Sequence, residues 1–189
     1  INTLNLNDFS LLEEIGSGSF GDVYKVKENK TGNILAAKIS KEKLEDKSIQ
    51  DVRELNRETE ILSKVNHPAI LKFIGISSVD FSGNPYPVII TEFLSNGTLL
   101  DVLELERSSL SDFKWTDTQK LINIYGIAKA MSFLHSHNII HRDLKPANIL
   151  MDEFLCPKIA DFGLSKRIHY NAESIAASQS TLQIKGTPM

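Results

Sequence analysis

Asn138 to Leu150 reads NIIHRDLKPANIL and sets His141, Arg142, Asp143, Lys145 and Asn148 between two apolar pairs. Burying unpaired charge is costly, so such a stretch is either partnered internally or put to chemical use. Partnered, it is a buried structural ion cluster. Used, it is a loop that offers a carboxylate, an ammonium and an amide to something outside the chain. The flanking residues Ile139, Ile140, Ile149 and Leu150 are expected to pin that loop to the core.

A second stretch, IGSGSFGDVYKV, places Gly16, Gly18 and Gly21 in G-x-G-x-x-G order. In a dinucleotide-binding fold such a loop opens a helix, with an acidic residue about 20 positions on. Here an alternating strand follows, which argues against that reading, and the Gly-Lys-Ser/Thr of a Walker loop is absent. Two readings remain. The glycines give backbone freedom to a plain hairpin, or they form a strand–loop–strand lid whose bare amides approach phosphate oxygens. Lys38 follows in LAAKIS, where a lysine usually extends its head to water. Glu58 shares a helix face with Leu55 and Leu62 by i, i+3, i+4 spacing, and an acid there needs a cation. These two residues alone do not decide the matter.

The elements that must position these groups follow from periodicity. FSLLEEIG leads as a strand into the glycine loop 16–21, DVYKVKE alternates at period two, and NILAAKIS follows a turn at Asn29 to Gly32. A helix is expected over about 46–65, striped by Val52, Leu55, Leu62 and Val65 and ended by Pro68. AILKFIGIS and VIITEF read as strands around a polar turn, and Ser95 to Gly97 reads as a hinge. A short helix is expected over 98–106. Thr116 then caps a longer helix that reaches His137. Its apolar band (Leu121, Ile122, Ile124, Ile127, Ala128, Met131, Phe133, Leu134) is wider than one stripe, so it expects neighbours on more than one side. The stretch 170–181, rich in Ser, Ala and Asn, reads as a mobile loop. No internal repeat or low-complexity run is visible.

Composition narrows the function classes. The 189 residues are 41% hydrophobic and 24% charged, with a net charge of −3, which gives no general reason to expect nucleic acid or anionic membranes. The single cysteine, Cys156, rules out an internal disulfide framework and cysteine metal clusters and fits a reducing compartment. His135 and His137 fall on different sides of a helix and read as polar residues at its end rather than metal ligands. No apolar run approaches the ~18 residues that span a bilayer.

With HRDLKPANIL and the DFG of Asp161 to Gly163 added, the chain resembles a eukaryotic protein kinase domain from about Phe9 to Pro188. The glycine loop, the A-x-K strand, the helix glutamate, H-R-D-x-K-x-x-N and D-F-G occur in family order and roughly family spacing. The resemblance implies an α+β fold: an antiparallel β lobe with one long helix over 1–94, a hinge at 95–97, and part of a mainly helical lobe over 98–189. It implies ATP and Mg2+ as cofactors and a protein substrate with a Ser/Thr acceptor. Asp143 would orient the substrate hydroxyl and accept its proton, and Lys145 would neutralise the γ-phosphate. Asn148 and Asp161 would hold magnesium, and Lys38, fixed by Glu58, would grip the α- and β-phosphates. Ile15, Gly16, Gly18, Gly21, Val23, Ala36, Thr91, Glu92, Leu94 and Leu150 would line the ATP site. Thr91 would guard its back, and the backbone of Glu92 to Leu94 would meet the adenine. Leu62, Phe73, His141 and Phe162 resemble the family's stacked apolar column.

Lys145, two after Asp143, and Thr187 in GTP resemble serine/threonine kinases, and DFGLSK with TEFLSNGTLLDVL has features of the tyrosine-kinase-like group. Arg142 implies regulation by loop phosphorylation, with Ser178, Ser180 and Thr181 as acceptors. The chain starts at Ile1 and stops after GTPM, before the A-P-E motif, so a segment of a longer protein is expected, cytoplasmic or an intracellular domain. Helix 117–137 would then be partly uncovered and the segment alone marginally stable. The alternative is a truncated, kinase-like binding module that holds nucleotide without phosphorylating a substrate.

Overall fold

A computed structural model describes residues 2–18, 21–43, 46, 49–108 and 115–167, with the backbone alone for 49–54. Five strands form one antiparallel sheet: β1 (Phe9–Gly18), β2 (Gly21–Glu28), β3 (Ile34–Ser40), β4 (Phe73–Ser77) and β5 (Val88–Glu92), in the order β1-β2-β3-β5-β4. Period-two alternation decides its faces. Opposed residues Val26 and Leu35, and Ala37 and Ile90, fall on one face. There they close a core with Leu6, Phe9 and Val88. Val23, Lys38 and Ile89 oppose one another on the other face.

Helix α1 (Ile49–Leu62) is shorter than the expected 46–65, and Val65 packs beyond its end. The expected strand 69–77 is divided. Only Phe73–Ser77 joins the sheet, while Ile70 bridges Ile159 and Leu71 donates its amide to the Ile159 carbonyl at 2.9 Å. An unbroken apolar run cannot itself say which partner takes each end, and this one ties the sheet to the second half.

The second half is built on α2 (Leu99–Arg107) and α3 (Asp117–Ser136). Both start with reciprocal capping boxes, Thr98 with Asp101 and the expected Thr116 with Gln119. Four short strands follow: β6 (Ile139–Ile140), β7 (Ile149–Met151), β8 (Pro157–Ile159) and β9 (Lys166–Arg167), with β6 pairing β9 and β7 pairing β8. The Ser95–Gly97 turn is fastened to β7, since Asn96 donates to the Met151 carbonyl and Met151 donates to the Gly97 carbonyl. Glycine is required at 97: its φ is +64°, and an added Cβ would meet the Asp101 carboxylate at 2.7 Å.

The wide apolar band of α3 is covered on one side only. Ala130 and Leu134 are fully buried, whereas Leu121, Ile124 and Tyr125 are each more than 60% exposed. The first half of the helix turns a polar residue inward instead. Asn123 is buried and donates to the carbonyls of Gln119 and Leu155 at 2.9 and 2.7 Å. Among the described residues, no helix is long and apolar enough to cross a membrane.

Candidate active site

The loop between β6 and β7 hangs between buried anchors. Ile139 and Ile149 are buried, as expected; Ile140 is 38% exposed and Leu150 half-buried, so neither is a full anchor. The reason is local: β6 is two residues long and alternates, so one of two adjacent isoleucines must face outward. The central anchor is polar. His141 is fully buried, its Nε2 lies 2.9 Å from the Ala160 carbonyl, and its Nδ1 accepts from the Asp143 amide at 3.3 Å. Only a neutral imidazole carrying its proton on Nε2 satisfies both contacts. Its ring meets Phe162 edge-on with centroids 4.9 Å apart. Leu62 and Phe162 are buried in the same core, with Phe73 packed against it. The four residues of the expected column thus share one packing unit.

Asp143 is held from two directions. Lys145 Nζ lies 3.0 Å from its Oδ2, and Asn148 Nδ2 donates to the same oxygen and to the Asp143 carbonyl, both at 2.9 Å. The Asn148 carbonyl in turn accepts from the Ala160 amide at 2.9 Å, which links the loop to Asp161. Asp161 has φ +59° and Arg142 φ +68°, left-handed values that cost a non-glycine residue roughly 1–2 kcal/mol. Strain of this kind persists where the surroundings over-determine the backbone, commonly at functional sites. Arg142 Nε donates to the Leu164 carbonyl at 2.6 Å and an Arg57 guanidinium nitrogen to the Gly163 carbonyl at 3.0 Å, which holds the segment after Asp161.

On the sheet side, Lys38 Nζ lies 3.5 Å from Glu58 Oε2. Burial pushes the Glu58 carboxyl above its ordinary value; Lys38 opposes the shift, and Asp161 adds to it. Asp161 and Asp143 both act on the buried His141 as well. The charges of Lys38, Glu58, Asp143, Lys145 and Asp161, with the Asn148 amide, therefore form one connected neighbourhood. For Asn148, the amide nitrogen is occupied by Asp143, so its side-chain oxygen points away from that carboxylate. Among the described residues there is no cluster of three His, Cys, Asp or Glu able to hold an ion. One carboxylate and one amide oxygen suit a hard cation that keeps waters and takes phosphate oxygens, as magnesium does.

The glycines separate by cause. A Cβ at Gly21 would lie 2.4 Å from the Ile39 carbonyl oxygen, so the close approach of β2 to β3 itself demands glycine there. Among the described residues, none places a heavy atom within 4 Å of such a Cβ at Gly16, and at Gly18 only the Gly21 carbonyl comes near, at 3.9 Å. The described residues leave space at those two positions. Ile15 is exposed; Val23, Ala36, Thr91, Glu92, Leu94 and Leu150 are all half-buried, the exposure of a cleft lining. The Glu92 amide is already taken by the Lys72 carbonyl at 3.0 Å. Ser178, Ser180, Thr181 and Thr187 lie outside the described residues.

Two features escaped sequence reading. Glu92 Oε1 receives the Lys72 amide at 2.7 Å and Lys158 Nζ at 2.9 Å, a tie from β5 to β8 across the two halves. Ser17, Asp22 and Lys41 join the tips of three strands. Opposite charges far apart in sequence carry no local pattern, so no periodicity could have paired them.

Burial holds the His141 pKa below its ordinary value, and protonating Nδ1 would also cost the hydrogen bond that it accepts from the Asp143 amide. As pH falls below the unfolded value of about 6.5, the unfolded chain binds a proton that the fold refuses, so stability drops with slope up to about 1.4 kcal/mol per unit. Urea unfolding at pH 7 and pH 5.5 is expected to show this loss, and His141→Gln is expected to flatten it. The raised Glu58 pKa acts in the opposite sense but is common to both proteins. An equal pH slope in the variant would refute the assignment.

Comparison with known proteins gives one consistent match. The protein kinase domain model matches residues 9–188. A probable serine/threonine-protein kinase of Dictyostelium discoideum is 34% identical over 98% of the chain and 34% of its own length. A cytoplasmic tyrosine-protein kinase of Homo sapiens is 35% identical over 87% of the chain and 22% of its own length. A serine/threonine-protein kinase of Arabidopsis thaliana is 36% identical over 86% of the chain and 26% of its own length. The chain therefore spans about a third or less of each of these relatives.

Proposed function

The chain belongs to the protein kinase domain family, and from that premise we propose that it moves the γ-phosphate of ATP to serine or threonine hydroxyls of a protein substrate. The observation that carries this reading is the Asp143–Lys145–Asn148 arrangement, with Lys145 Nζ 3.0 Å from Asp143 Oδ2. Lys145 at that spacing resembles serine/threonine kinases, whereas relatives of both acceptor classes match the chain.

Phosphoryl transfer needs little covalent help, so positioning and charge neutralisation account for most of its catalysis. Asp143 orients the acceptor hydroxyl and takes its proton as the hydroxyl oxygen bonds to the γ-phosphorus and the bond to the ADP oxygen breaks. Asn148 and Lys145 hold the Asp143 carboxylate in one orientation, and Lys145 offsets charge on the transferred group. Lys38, kept in place by Glu58, grips the α- and β-phosphates. Open space beside Gly16 and Gly18 admits phosphate oxygens to backbone amides. Asn148 and Asp161 would hold magnesium, which would supply positive charge to the phosphates. Residues 1–94 and 98–189 act as two lobes about the 95–97 turn. Arg142 serves loop regulation through Ser178, Ser180 or Thr181. The place of action is the cytoplasm or the intracellular side of a longer signalling protein.

The test is incubation of the full-length protein with Mg·ATP and peptide libraries bearing Ser, Thr or Tyr. Phosphoserine and phosphothreonine are expected. Predominant phosphotyrosine would overturn the acceptor assignment, and no transfer to any library would overturn the enzymatic reading.

A further inference from the structure

Gly16 and Gly18 lie on the part of β1 that leads toward β2. Every residue of β1 from Ser10 to Gly18 is exposed, so burial does not fix that stretch of the strand. Gly18 opposes Gly21 and Ser17 opposes Asp22. Ser17 Oγ donates to Asp22 Oδ1 at 2.6 Å, Lys41 Nζ donates to Ser17 Oγ at 2.9 Å, and Lys41 Nζ lies 3.1 Å from Asp22 Oδ1. One polar ring thus joins β1, β2 and the residue just past β3.

Its side of the sheet matters. Asp22 opposes Ile39, on the face that carries Val26, Ala37 and Ile90, whereas Lys38 opposes Val23 on the other face. The ring ties Ser17 of β1 to β2 and to Lys41 from the face opposite Lys38. Asp22 stays charged at neutral pH, since the Ser17 hydroxyl and then Lys41 hold its carboxyl below the ordinary value.

We propose that Ser17, Asp22 and Lys41 form a clamp that positions the glycine hairpin over the phosphates of bound nucleotide. Asp22 and Lys41 are then positioning residues for phosphoryl transfer, an assignment that rests on the kinase reading above. Exposed ion pairs add little to global stability, so the effect falls on nucleotide binding rather than on the fold.

The test uses the full-length protein with Asp22→Ala, Lys41→Met and the double variant. Each single change is expected to raise KM for ATP by about 5-fold with kcat within about twofold, and the double change by no more than the larger single effect. Backbone amides of 16–22 are expected to exchange faster in both single variants, without nucleotide. Long-range attraction of phosphate by Lys41 makes the opposite forecast for Asp22→Ala, since loss of a negative charge would lower KM. A lowered or unchanged KM in Asp22→Ala, or effects that multiply in the double variant, would overturn the clamp. Expected exchange behaviour in a protein that transfers no phosphate would overturn the catalytic reading instead.

Discussion

Asp161→Asn in the full-length protein is expected to cut phosphate transfer by about a thousandfold or more while leaving thermal unfolding within about 2 °C of the parent. The activity loss follows from removal of a magnesium carboxylate, whose charge stabilisation is worth several kcal/mol, and about 4 kcal/mol corresponds to a thousandfold in rate. Preserved stability follows from the backbone. Asp161 sits at φ +59°, and asparagine is among the few residues that tolerate that region, so the change adds no strain. Removing the charge also relieves Glu58, whose carboxyl Asp161 helps push upward. Radiolabel transfer and a melting curve on the same preparation check both halves. Unimpaired transfer would refute the role of Asp161; a collapsed melting curve would refute the account of its backbone.

The largest stability effect is expected at the neighbouring residue. Phe162 is fully buried in one cluster with Leu62, Ala130, Leu134, Ile139 and Ile159, and its ring meets buried His141. Phe162→Ala removes that ring from a packed site, at a cost of about 3–5 kcal/mol for this class of truncation. That is a large share of a typical net stability of about 5–15 kcal/mol. Phe162→Leu keeps most of the volume and is expected to lose less than about half as much. Urea midpoints read both. A loss under about 1 kcal/mol for the alanine variant would show that this core does not bind the two halves together.

Adjacent residues thus divide their work: Asp161 is strained and half-buried, Phe162 is fully buried. The alternation is partly legible from residue types, but the cause is not. Phe162 is buried because α1, α3, β6 and β8 converge on it, and that convergence is made of contacts distant in sequence. The same holds for the strand 69–77. Its apolar run predicts burial correctly, yet which part pairs with β5 and which with β8 depends on how the halves close.

Local pattern determined much of this protein. Alternation set β2 and β3, a hydroxyl before an apolar run set the cap of α3, and short motifs marked Lys38, Asp143, Lys145, Asn148 and Asp161 singly, while only the resemblance to a family grouped them with Glu58. Those features are legible because each depends on neighbours within a few residues, where covalent geometry limits the outcomes. Tertiary structure alone decided that Ile140 faces outward, that Asn123 rather than Leu121 or Ile124 turns inward, and that Gly21 is demanded by β3 while Gly16 is not. It also decided the Glu92–Lys158 tie and the Ser17–Asp22–Lys41 ring. Charges and close approaches act through space, and the chain order that brings two distant groups within 3 Å leaves no period in the sequence to read.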